Sequence, residues 1–145
     1  MQENLSAWKK FPATENAYES IRDFILDAAK NFNVKQEKLL RLELGIEEIV
    51  INIIHYAYKD GGDIFVKVYD DETHNIFYFE LADYGTPFNP LDKIDPRSVD
   101  KSEIQDRKIG GFGIAFVKKT FVNLSYAYEN FQGQKANHLT LGFVK

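Results

Sequence analysis

The run Leu39-Leu-Arg-Leu-Glu-Leu-Gly-Ile-Glu-Glu-Ile-Val-Ile-Asn-Ile-Ile-His-Tyr-Ala-Tyr58 constrains the fold of this chain more than any other stretch. Leu39, Leu42, Ile46, Ile49 and Ile53 recur at steps of three and four, so they share one helical face that must be buried. Asn52 is the single amide in a segment that is apolar nearly all the way round. A buried amide without a partner costs about 1–3 kcal/mol, so something must hydrogen-bond or coordinate it. Glu48 stands four residues before it and His55 three after, on one stripe, a polar track suited to facing a ligand. An amide there serves equally as a structural group satisfied within the core, and helix glutamates are usually solvated. The helix by itself leaves both readings open.

The 145 residues, 44% hydrophobic and 28% charged, suit one globular domain spanning residues 1–145 and would be a squeeze for two. A net charge of −4 and the lack of a basic run argue against nucleic-acid binding, which needs a concentrated basic surface. The sequence has no apolar stretch of about 18 residues and no basic-then-apolar leader, so a soluble, cytoplasmic protein without membrane contact is expected. No cysteine is present, which removes disulfides, thiol catalysis and thiolate metal sites together. His55, His74 and His138 are far apart and form no His-Glu-x-x-His pair, so zinc is not expected.

Taken in order, residues 4–11 suit a leading strand that ends at Pro12. Thr14 can cap a helix running to about Asn31, with Tyr18, Ile21, Ile25 and Ala28 turned inward. The central helix is expected over 34–58, closed by Gly61-Gly62. Residues 63–69 and 76–82 should pair as a hairpin. Asp83-Tyr-Gly-Thr-Pro-Phe-Asn-Pro90 then opens a charged, proline-broken stretch through Lys108. A connection of about 20 residues without periodicity is uncommon unless it is a lid or disordered. Gly110-Gly-Phe-Gly113 ends it, residues 114–122 read as a short helix, and 123–128 and 138–145 as closing strands around Gly133. This order predicts an α+β fold, a two-layer sandwich in which three helices cover one face of a mixed, mostly antiparallel sheet.

Two further segments could carry chemistry. Asp83 ends an apolar strand and precedes Gly85, so its carboxylate can meet a ligand while the backbone stays close. An ionised carboxylate only accepts hydrogen bonds, which suits an exocyclic amine such as that of adenine, although Asp-x-Gly-x-Pro is also ordinary turn chemistry. Gly110-Gly111-Phe112-Gly113 precedes a helix, whose unsatisfied amides and positive dipole end can hold phosphate. It is neither a P-loop nor a dinucleotide fingerprint, and a loop hinge is the competing explanation. Arg107 and Lys108 could add positive charge there, or simply be solvated.

In combination the pieces are more specific. Glu48-x-x-x-Asn52 on a helix, Asp83-x-Gly85 after a strand, a lid, and Gly111-x-Gly113 opening a helix resemble the Bergerat-type nucleotide-binding fold of gyrase, Hsp90, sensor histidine kinases and MutL. Within it, Glu48-Ile-Val-Ile-Asn52-Ile-Ile-His55-Tyr-Ala-Tyr58, the Asp83–Pro90 and Gly110–Val117 segments and Asn137-His-Leu-Thr-Leu141 resemble the bacterial anti-sigma factor serine/threonine kinases. The resemblance implies ATP and Mg²⁺ as cofactors, with Asn52 ligating the metal and Glu48 as catalytic base. It also implies that Asp83 reads the adenine amine, that Gly85 and Thr140 line the adenine side, and that Gly111 and Gly113 cradle phosphates. His55 and Lys108 would approach phosphate, and residues 86–108 would be the ATP lid. Family members often carry a basic residue immediately before the second glycine motif, where this chain has Ile109. The implied partners are a sigma factor and an anti-anti-sigma antagonist, with a homodimer expected. A non-catalytic ATP-binding module is the alternative, and retention of Glu48 favours the kinase.

Overall fold

A computed structural model of the chain describes residues 7–92 and 110–145. Strand β1 (Lys9–Pro12) leads into a turn where the Thr14 hydroxyl accepts from the Ala17 amide at 3.2 Å. Thr14 therefore caps as expected, but it caps a short 3-10 turn, Glu15–Ala17, from which α1 (Tyr18–Asn31) continues. Ile21, Ile25 and Ala29 form the buried line of α1, so the last inward position is Ala29 and Ala28 is only half-buried. A second 3-10 turn, Gln36–Lys38, precedes α2 (Leu39–Tyr56).

All five positions expected on the inner face of α2 are buried, and Val50 joins them. The helix ends before Gly61-Gly62, not at it. Its Ala57 cap carbonyl is taken instead by the Thr86 amide at 2.8 Å, and Gly61, at φ +85°, turns the chain into the sheet.

The remaining elements are β2 (Asp63–Asp71), β3 (Ile76–Asp83), α3 (Gly110–Thr120), β4 (Val122–Phe131) and β5 (Gln134–Val144). The sheet order is β1-β2-β3-β5-β4, and every neighbouring pair is antiparallel. The hairpin β2–β3 is as expected, but β4 and β5 reach further toward each other than the sequence indicates. Gln132 and Gly133, both at positive φ, close them in a two-residue turn. Their facing ends are polar, which hides them from a search for apolar alternation.

Strand alternation divides the sheet into two faces. Phe77, Phe79 and Leu81 of β3 and Leu139, Leu141 and Phe143 of β5 join the helices in the main core. Trp8, Ala82, Phe131 and Ala136 form a smaller cluster behind, with Phe65 and Tyr84 against it. Among the described residues, three helices on one antiparallel sheet make the α+β sandwich that was expected. No described helix is long and apolar enough to cross a membrane.

Candidate functional site

Asp83 continues the core-facing row of β3 past its last apolar residue, opposite Asn137 of β5. The carboxylate is buried, and its Oδ1 accepts from the Gly85 amide and from Asn137 Nδ2, both at 2.9 Å. Among the described residues, Oδ2 accepts no hydrogen bond. Burial raises the Asp83 pKa above the ordinary carboxylate range, and the bonds from Asn137 and Gly85 pull it partly back.

The turn after Asp83 is fixed from three sides. Asn137 Nδ2 donates also to the carbonyls of Thr86 (3.0 Å) and Gly85 (3.3 Å), while its Oδ1 accepts from the Phe88 amide and the Tyr126 hydroxyl. The Tyr58 hydroxyl accepts from the Tyr84 amide (2.7 Å) and donates to the Asp63 carbonyl (2.8 Å). Gly85 lies against the end of α2, where a Cβ would stand 2.1 Å from the Ala57 carbonyl oxygen. Only glycine fits there, because the obstacle is backbone.

Asn52 and Glu48 are both buried on α2, and Asn52 Nδ2 donates to Glu48 Oε2 at 3.2 Å. Helix α3 runs antiparallel beside them. Arg41 meets Thr120 at one end of the pair, and Gly113 meets Glu48 at the other. A Cβ on Gly113 would fall 1.3 Å from Glu48 Oε1, so the bare glycine lets α3 close over the carboxylate. The expected glycine turn is itself helical: the described span of α3, Gly110–Thr120, includes Gly111 and Gly113. The amides of a helix's first turn lack intrahelical partners and can hold an anion, which is the role expected of a glycine-rich helix start. Ala57, where the Asp83 turn docks, lies five residues beyond Asn52, a rise of about 8 Å along α2.

Other expected residues fall elsewhere. His55 is half-exposed and its Nε2 lies 2.9 Å from Glu15 Oε1, so the structure pairs it with the start of α1 and not with Glu48 and Asn52. Around the axis His55 is only about 20° from Glu48, but seven residues carry it about 10 Å further along α2, where it is exposed and meets Glu15 instead. Thr140 pairs with Glu80 on the sheet face opposite to Asp83, so it does not line the same side. Asn137, three residues earlier and on the correct parity, stands where Thr140 was expected. Lys108 and most of the expected lid lie outside the described residues. Asn137 and the Tyr58 hydroxyl carry the site's positioning and were not assigned roles from sequence. The signal for Asn137 was an amide two residues before Leu139 and four before Leu141, on the parity of the apolar row.

The model of the histidine kinase-like ATPase domain matches residues 11–143, and the chain belongs to that family. A comparison with curated proteins gives no match. Membership implies ATP binding, and the residues present fit that ligand. Asp83 keeps one carboxylate oxygen for an amine donor, and the first turn of α3 supplies amides for phosphate. Asn52, its nitrogen turned to Glu48, would be the residue to hold Mg²⁺, through its amide oxygen.

Proposed function

We propose that this chain is a Mg·ATP-dependent serine/threonine protein kinase of the anti-sigma factor type. It would hold a sigma factor, act as a homodimer, and release its partner by phosphorylating an anti-anti-sigma antagonist. The observation that carries phosphoryl transfer, beyond ATP binding, is the contact between Asn52 and Glu48 beneath the first turn of α3. It sets a candidate metal ligand and a candidate base side by side. Asp83 would orient the adenine through its amine. Glu48 would take the proton of the incoming serine or threonine hydroxyl as its oxygen bonds to the γ-phosphorus and ADP leaves.

The alternative is a regulatory module that binds ATP without transferring phosphate. It draws support from the same contact, since Glu48 is buried, bonded to Asn52 and covered by Gly113. Incubation with labelled ATP and candidate antagonist proteins separates the two. The kinase reading predicts label on a serine or threonine of the antagonist, and its loss in Glu48→Gln with ATP affinity retained. ATP binding without transfer to any antagonist would leave the module.

A further inference from the structure

A cavity lined by cations lies at the other end of the α2–α3 pair. Its volume is about 190 Å³, and Lys38, Arg41, Lys119, Thr120, Val122, Phe143 and Val144 line it. That volume is far above the roughly 10–15 Å³ needed for one water. Arg41 and Asn52 are eleven residues apart on α2, about 17 Å along the axis, so this cavity is separate from the nucleotide site.

The charges there run against local expectation. Lys38 caps α2 and Arg41 lies in its first turn, the positive end of the helix, and no acidic residue occupies that turn. Cations at a helix N-terminus oppose the dipole. The carbonyl end of α3 accounts for Lys119, but not for the other two. No carboxylate side chain lines the cavity, although the chain as a whole carries a net charge of −4.

The groups are also held in place. Lys38 Nζ donates to the Val144 carbonyl at 3.3 Å and to a main-chain oxygen of Lys145 at 3.1 Å, which leaves Arg41 and Lys119 as the cations facing the space. Arg41 Nε donates to Thr120 Oγ1 at 3.4 Å. Thr120 is buried, and among the described residues its hydroxyl donates to no acceptor. Cations from the start of α2 and the end of α3 thus converge with a buried hydroxyl on an open space. Mutual repulsion is relieved most simply by an anion.

We propose that this cavity binds a phosphate dianion, with Arg41 and Lys119 as its cations and Thr120 as a hydroxyl donor. Guanidinium and ammonium donors suit phosphate oxygens. Val122, Phe143 and Val144 leave an apolar wall for whatever bears the phosphate.

The test is a titration of the full chain with inorganic phosphate and, separately, with phosphoserine, without magnesium, read by amide chemical shifts. Saturable shifts at Arg41, Lys119, Thr120 and Val144 are expected. Affinity should weaken roughly tenfold in Arg41→Gln and in Lys119→Gln, as loss of one charge-assisted hydrogen bond implies. Both residues are exposed, so the substitutions should leave the fold intact. Tighter binding of phosphoserine assigns the site to a phosphate carried on a side chain, and equal binding assigns it to free phosphate. Shifts confined to the first turn of α3, shifts indifferent to both substitutions, or no saturation would overturn the proposal.

Discussion

Asp83 concentrates the physics of the site in one residue. Its raised pKa follows from burial, so ionisation costs the fold: the stability it contributes is complete below pH 3.8, its ordinary value, and is lost as pH rises through the folded pKa. The ionised form is what accepts an amine without reservation. Nucleotide affinity should therefore fall on acidification at a higher pH than an ordinary carboxylate would give, as titration calorimetry across pH will measure. Asp83→Asn keeps an oxygen for Gly85 and Asn137 but removes the charge. It should weaken adenine nucleotide binding by about 1.5–3 kcal/mol, roughly ten- to hundredfold, without lowering the melting temperature at neutral pH. Asp83 was legible because it ends an apolar strand before Gly85. Thr140 was misplaced for a reason equally physical: strand faces alternate, and without the pairing of Asp83 with Asn137 nothing says which residues of β5 share the carboxylate's side.

Among the elements, the α2–α3 pair sets what the site can do, and its spacing depends on glycines. Gly45 accepts the Phe121 ring and Gly113 accepts Glu48. Gly113→Ala should force α3 away from Glu48 and cost about 1–3 kcal/mol by overpacking, measurable by urea denaturation, with nucleotide binding weakened as well. Gly85→Ala meets a backbone carbonyl instead of a movable side chain, so it should be the more damaging of the two. The inner face of α2 could be read from its periodicity alone. The glycine-rich opening of α3 could not, since glycines are poor helix formers and nothing in their own pattern marks them as helical.

For the whole molecule, the sheet must keep Asp83 and Asn137 in register beneath the helices, and its rear face contributes a charged clasp. His138 lies 2.6 Å from Glu80 through Nε2 and 2.7 Å from Glu129 through Nδ1, joining β3, β5 and β4. With both ring nitrogens bonded to carboxylates the ring is an imidazolium. The Glu80 hydrogen bond, opposed by burial and helped by Glu129, raises its pKa above 6.5. Burial pushes Glu80 up, but the bonds from His138 and Tyr69 outweigh it and its pKa is lowered. The stability from His138 is thus present below pH 6.5 and lost as pH rises through the folded pKa, while that from Glu80 is lost as pH falls below 4.5. Thermal melts should show a decline on the alkaline side that His138→Gln removes. The central claim, that Asp83, Asn52 and the glycine-rich turn of α3 hold Mg·ATP, is tested most directly by calorimetric titration of ATP into the full chain with and without magnesium. Saturable binding strengthened by magnesium, weakened roughly ten- to hundredfold in Asp83→Asn and kept in Glu48→Gln, is the predicted result; binding that is absent, or indifferent to both magnesium and Asp83→Asn, would contradict it.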